Sequence, residues 1–368
     1  MEIRHSLVLR SAVLCAIAVL SAARPATAQT ASAPPAPKAW EVEFYGGLMS
    51  GTGPVEGTGQ LPPAGAMYTP PVAGFPSTRL VSSWFFGDGA LLFNQVRAAA
   101  LPGSSPYPAI VPLDSALQNS AVRRKSGAVF GVRLARTLTG RFGAEFTLDV
   151  HGGSVRFIDD FRPAADTTMN SIESAFRGAF GPQQTVTTSI STVEDVGHEL
   201  LAAGALRSAL ARGRTTEPYV VVGAGVASAQ GDRPTMELVR NLRLAFGASP
   251  LLDELDTVTV TAHPDLGGLL VFGGGLRRSI GSHSGVRIDA RVYVISDKTS
   301  TRVEAHPTTF PGPTSGATFR MSSGLSILFS SSPIVSSSLS VPLDEFETFT
   351  GSGFRTQVSA TFGYYVRF

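Results

Sequence analysis

His151, Asp159 and Asp160 are the residues of this chain best suited by type to acid–base chemistry. An imidazole near carboxylates can move protons around neutral pH, which is what a protease or an acyltransferase needs. That chemistry also requires a nucleophile or a second acid–base pair held across the same cleft, and no motif specifies one. The chain is therefore not expected to be an enzyme, and no catalytic residue is assigned. Val220-Val221-Val222-Gly223-Ala224-Gly225 has the look of a strand entering a dinucleotide-binding turn. Ser228 stands where the third glycine belongs, and Gly231 and Pro234 interrupt the helix that should follow, so no cofactor is expected. The six histidines include no pair at ligand spacing, so no metal site is expected.

A second set of charged residues has a different regularity. Glu41, Glu43, Glu145, Asp149, Glu199 and Asp289 all carry odd numbers, as do Arg133, Arg207, Arg277, Arg287, Arg291, Arg355 and Arg367. They sit in segments whose even positions are apolar. Side chains on a strand alternate between faces, so such segments have one greasy side and one charged side. Eight segments qualify, beginning with one from Trp40, where Trp40, Val42, Phe44, Gly46 and Leu48 alternate with Glu41, Glu43 and Tyr45. Residues 128–138 and 142–150 flank the turn Thr139-Gly140-Arg141 and form the clearest hairpin. Further strands are expected over 198–210, 219–229, 266–280 and 286–294, and the last over 354–368. On the even face of the sixth lie Leu266, Leu270, Phe272 and Leu276.

The connections sort into two classes. Those near 140, 213 and 282 are short, whereas those at about 50–125, 153–196, 231–264 and 298–353 are long, and the two kinds alternate strictly. Phe319, Met321, Leu325, Ile327 and Phe329 alternate well enough for a ninth strand. Val335, Leu339, Val341 and Leu343 would make a tenth after the Ser330–Pro333 turn, although Pro342 removes a ladder donor. Eight strands remain the expectation, with 317–345 as folded loop and ten as the alternative. Within the loops, Ile172, Phe176 and Phe180 suggest a helix over 169–180, and Val239, Leu242 and Phe246 another over 236–246. Ser83-Trp84-Phe85-Phe86 is an aromatic segment suited to a lipid leaflet or a ligand.

The ends and the composition bound the setting. Arg4 and Arg10, an apolar run from Ser11 to Ala23, and Ala26-Thr27-Ala28 form the pattern of a cleaved export signal over residues 1–28. Residues 29–39 read as a flexible linker, which leaves 40–368 as one domain. The signal holds the only cysteine, so the remainder has no disulfide chemistry. It also holds Arg4, Arg10, Arg24 and Glu2. Without them, the 30 basic and 28 acidic residues become 27 and 27. A neutral chain offers nucleic acid no electrostatic footprint. No later stretch approaches the roughly 18 uninterrupted apolar residues of a membrane-spanning helix.

The final strand ends on the aromatic Phe368, with Phe354, Val358, Ala360, Phe362, Tyr364 and Val366 on its apolar face. This segment resembles the closing strand of bacterial outer-membrane β-barrels, and the strand and loop pattern of 40–368 is similar to the outer-membrane protein A and opacity-protein kind. The loops are longer than in the smallest members, and no wall-binding domain is expected after the barrel, so a wall-anchoring role is not carried over. The resemblance implies an all-β, transmembrane, antiparallel up-and-down barrel in the outer membrane, with long extracellular loops. It implies a lumen filled by the odd-numbered charges and an aromatic girdle at Trp40, Phe142, Tyr219, Tyr364 and Phe368. The expected partners are outer-membrane lipid, the barrel-assembly machinery through Phe368, and an extracellular ligand at the loops, with the chain a monomer. A structural or surface-interaction role follows, with a narrow channel as the alternative.

Overall fold

The computed structural model describes residues 40–69, 77–100, 108–180, 184–211, 215–246, 249–310, 318–320, 326–328, 338–339 and 341–368. The expected export signal (1–28), the expected linker (29–39) and the expected turns at Arg212-Gly213-Arg214 and Ser330–Pro333 lie outside these residues, as do Met321, Leu325, Phe329 and Val335.

Alternation of apolar and polar residues produces eight wall strands. They are β1 (Trp40–Met49), β2 (Gly127–Thr137), β3 (Phe142–His151), β4 (His198–Ala209), β5 (Thr216–Gln230), β6 (Ser249–Ser279), β7 (Ser284–Phe310) and β8 (Leu343–Arg367). Each pairs antiparallel with the next, and β8 returns to β1 in a register running from Glu41 opposite Arg367 to Met49 opposite Ser359. Trp40 and Phe368 exchange backbone hydrogen bonds of 3.1 and 3.0 Å, so the ring closes at the two chain positions where an edge would otherwise remain. Short connections join β2 to β3, β4 to β5 and β6 to β7, and long ones make the other four joins.

The even-numbered side chains point outward. Phe44, Leu48, Phe130, Phe146, Val222, Leu270, Ile288 and Phe362 are all exposed, and Leu48 has 71% of its surface free. A continuous apolar belt around a closed barrel is stable only against lipid, so this wall spans a membrane. Of the expected girdle, Trp40, Phe142, Tyr364 and Phe368 lie on this outer surface. Tyr219 does not. It is odd-numbered and buried inside, where its hydroxyl bonds Asp289 and its ring stacks under Arg287.

Three strands run far beyond what a bilayer needs. At roughly 3.3 Å per residue, the 31 residues of β6 extend about 100 Å. The sequence reading ended these strands too early because their upper portions no longer alternate against lipid. Between Leu266 and Leu269 the register of β6 against β7 slips by one residue, a bulge filled by Gly267 and Gly268. Below it the odd residues Leu269 and Val271 face in, and above it the even residues Leu252, Glu254, Asp256, Val258, Val260 and Ala262 do. Leu266 is therefore half-buried against an interior cluster rather than in the outer belt.

Above the membrane the extensions of β6 and β7 continue as a sheet with the strands Thr235–Phe246 and Gln184–Val193. The expected helix over 236–246 is thus a strand. Met236, Leu238, Arg240 and Leu242 are buried at period two, and pairing on both sides overrides the helical spacing of Val239, Leu242 and Phe246. The other expected helix exists, within α3 (Phe161–Phe180), whose Ile172 and Phe176 pack into a core shared with α1 (Gly87–Ala100) and the short α2 (Asp114–Leu117). Ser83, Trp84, Phe85 and Phe86 are fully buried in that core, touching neither lipid nor solvent. Residues Thr318–Arg320 and Ser326–Leu328 pair with each other as a separate two-stranded ladder, outside the wall. They are not a ninth strand, and Leu343 belongs to β8.

Three lumen tyrosines each lie directly across from a glycine on the neighbouring strand: Tyr45 opposite Gly131, Tyr219 opposite Gly275 and Tyr365 opposite Gly285. A side chain on Gly131 would meet the Tyr45 ring at 2.5 Å. The ring covers the bare backbone, and the missing side chain gives the ring its room. Gly131→Val should lower stability by about 1–3 kcal/mol through overpacking. A drop in the urea midpoint of detergent-refolded protein, with the heat-modifiable gel shift retained, is the expected reading.

Candidate functional site

The interior of the wall is stacked in layers of charge. Nearest the short turns, Glu41 accepts bonds from Arg277 and Arg367, with Arg207 at 3.6 Å. Arg277 also lies over the Tyr365 ring at 4.6 Å. The next layer is the densest. Arg133 contacts Glu43 at 2.7 Å, Asp289 at 2.7 Å and Glu145 at 3.6 Å. Arg287 contacts Glu145 at 2.7 Å, Asp289 at 3.2 Å and Glu43 at 3.4 Å, and Arg291 donates to Glu145 at 3.0 Å. None of these side chains is more than 5% exposed. Strand alternation alone puts them there, since every one is odd-numbered.

Charges taken out of water are tolerable only when each is paired and hydrogen-bonded. Five buried arginines (133, 207, 277, 287 and 291) face five buried carboxylates (41, 43, 145, 149 and 289), so the fully buried charges balance, and the sixth arginine, Arg367, reaches Glu41 from the partly exposed end. Asp149 is the exception in kind: it accepts hydrogen bonds from the hydroxyls of Tyr45 and Tyr293 rather than ion-pairing directly. Around it Met49, Val129, Leu201, Ala203, Leu269, Val271 and Ile295 make an apolar collar with no water-accessible surface to speak of.

Above the collar lies a third charged layer. Glu199 accepts from His151 at 2.9 Å, from Gln357 at 3.0 Å and from Arg355, with Arg124 at 3.4 Å. Arg355 also approaches Asp297 at 3.5 Å. His151 is thus turned into the lumen and held by Glu199. Asp159, the other half of the acid–base grouping in the sequence, sits at the outer rim with Arg123 at 2.7 Å, and Asp160 is exposed. The three residues do not converge. Among the described residues no cluster of three or more His, Cys, Asp or Glu side chains is arranged to hold a metal.

On top of this layer opens a polar cavity of about 370 Å³, with Arg124 in its floor and Gln230, Arg233, His263, Lys298 and Arg302 in its walls. Odd numbering would have found Asp297 and Gln357 for the third layer, but Asp297 lies just beyond the expected 286–294 strand, and Gln357, within the last strand, carries no charge to mark it. Arg124 had no such signal. It arrives from the connection between β1 and β2, through the two-stranded pairing of Val122–Arg124 with Val155–Phe157.

Closed ring, apolar outer belt and charged, packed interior are now all in view. The chain has the fold of the bacterial outer-membrane β-barrels. Similar solved structures are of that kind. The outer membrane protein OprG of Pseudomonas aeruginosa aligns at 11% identity and a TM-score of 0.32, over 90% of this chain and 97% of that one. The outer membrane protease OmpT of Escherichia coli aligns at 8% and 0.25, over 92% and 100%. The toluene transporter TodX of Pseudomonas putida aligns at 10% and 0.19, over 90% and 91%. No family model and no curated protein matches the sequence. At these values the assignment rests on the ring and belt of this chain itself.

Glu145 is the carboxylate most shared within the lumen, so its removal leaves several buried guanidinium groups short of counter-charge. Glu145→Gln should cost about 3–5 kcal/mol, the range for breaking one side of a buried ion pair. An exposed pair such as Arg162–Asp166 should contribute less than about 1 kcal/mol when broken. Chemical unfolding in micelles would read both, and equal losses from the two sites would contradict this account.

Proposed function

We propose that this outer-membrane barrel is a non-conducting, non-catalytic surface-interaction protein, in which the wall and plug are a pedestal and the extracellular cap makes the contacts. The observation that supports this reading is the lumen. Arg133 from β2 and Arg287 and Arg291 from β7 reach into it to Glu43, Glu145 and Asp289, and an eight-stranded wall leaves interior room only for its own side chains. A one-sign ring would favour a pore, whereas paired charges of both signs favour a filled interior. The chain reaches its membrane through the barrel-assembly machinery, which reads the end of β8 at the exposed Phe368, and it works there as a monomer beside outer-membrane lipid. An extracellular ligand is met by the folded connections that carry α1 and α3.

A narrow channel is the second reading, supported by the polar cavity of about 370 Å³ that leads down to the Arg124–Glu199 layer. TodX, one of the structural neighbours, is described as a toluene transporter and a monoaromatic hydrocarbon channel. Planar-bilayer recording separates the two readings. The purified protein should give no stepwise conductance, while Glu145→Ala together with Arg287→Ala should produce leak if it folds. Regular single-channel steps from the unaltered protein would establish the channel and remove the plug reading.

A further inference from the structure

The extracellular cap contains a buried charged group that the lumen does not use. Arg240 on the Thr235–Phe246 strand lies directly opposite Asp256 on β6, and Glu254 is two residues along the same inner face. All three are completely buried. The Arg240 guanidinium donates to Glu254 rather than to Asp256, and its plane rests on the Phe176 ring of α3 at 4.7 Å. Trp84 donates its indole N–H to Glu254 at 3.1 Å. Asp256 holds the same segment by its other end, accepting the Ser83 hydroxyl at 2.9 Å and the Trp84 backbone N–H at 2.8 Å on one carboxylate oxygen. Among the described residues its second oxygen, Oδ1, has no hydrogen-bond partner, nor has Oε2 of Glu254.

The one guanidinium in this apolar chamber is thus bonded to Glu254, and ionising Asp256 as well leaves a buried negative charge in surplus. The Ser83–Trp84 segment they hold is the clasp of the cap. Trp84 packs edge-on against Phe93 of α1 and Phe176 of α3, which themselves stack at 4.6 Å. Two helices thus pack on one segment, which Asp256 holds by its backbone and hydroxyl and Glu254 by its indole.

We propose that Asp256 is an acid-operated latch, which fastens the helical cap to the extracellular sheet in its protonated form and slackens it when ionised. Asp256 lies above the apolar belt that begins at Leu270. Burial, opposed by Arg240 and by the Trp84 and Ser83 bonds and reinforced by Glu254, pushes its carboxyl up to about 6. With the cap open to water the carboxyl returns to its ordinary range near 3.8. The closed form thus binds the proton more tightly, so acid favours closure. That advantage is complete below the ordinary value and is lost as pH rises through about 6. The separation corresponds to roughly a hundredfold change in the closed-to-open ratio.

The chain has two tryptophans, so Trp40→Phe leaves Trp84 as the reporter. Acrylamide quenching of that variant in micelles should be weak at pH 4–5 and rise severalfold as pH passes about 6. Adding Asp256→Asn should abolish the transition and leave quenching weak throughout. A flat profile in the parent variant, or an unchanged transition in the asparagine variant, would overturn the latch. If Asp256→Asn does not fold, Ser83→Ala is the second arm. It removes a donor to the ionised carboxylate and must move the midpoint upward, and an unmoved midpoint overturns the proposal equally. None of these readings depends on whether the lumen conducts.

Discussion

The cost of holding charge away from water is the constraint on which this molecule is built. Eight strands enclose a space too narrow for both bulk solvent and the arginines that line it, so the arginines must be satisfied by the glutamates and aspartates that share the lumen. Arg133 shows how far this goes, drawing on Glu43 from β1, Glu145 from β3 and Asp289 from β7. A single side chain thereby ties together strands that are not neighbours in the ring. The wall supplies backbone hydrogen bonds around its circumference, and the charged layers supply connections across its diameter. The tyrosine–glycine pairs complete the arrangement by fitting large rings into a bore that a full set of side chains would overfill.

Above the membrane the same strands meet different demands. Lipid no longer covers the outer face, so an apolar exterior becomes a liability, and the apolar residues move inside to pack with α1 and α3. The bulge at Gly267 and Gly268 makes that reversal on β6 in one step. Barrel and cap are therefore continuous in backbone, while their cores are chemically unlike. The one below is salt-bridged around an apolar collar, and the one above is apolar around the small charged group at Arg240, Glu254 and Asp256.

All eight wall strands, their closure and the inward set of charges were legible in the sequence, because a half-greasy strand facing lipid must alternate without many errors. Odd numbering located Glu145, Asp289 and Arg291 with no structural help. What stayed hidden was governed by contacts rather than by period. Tyr219 was assigned to the girdle from its place near a strand end, although its number put it inside. The 236–246 segment carries helical and strand spacings at once, and pairing with two neighbours decided between them. The partners of His151 were obscured because Glu199 is distant in the chain and adjacent only across β3 and β4. Arg124 enters the lumen from a connection, where no periodicity exists to place it.

The bulge on β6 also sets rules for how this chain can diverge. Below Leu269 the numbering of inward residues is locked to the lipid belt, and above Leu266 it follows an independent parity. Insertions of two residues in the upper arm would lengthen the cap and keep each side chain on its own side. An insertion of one would turn that arm inside out unless a second irregularity restored the phase. Relatives should therefore vary in cap height by even increments over an unchanging base, so that the outward-facing half can be remodelled by selection while the inherited pedestal stays the same.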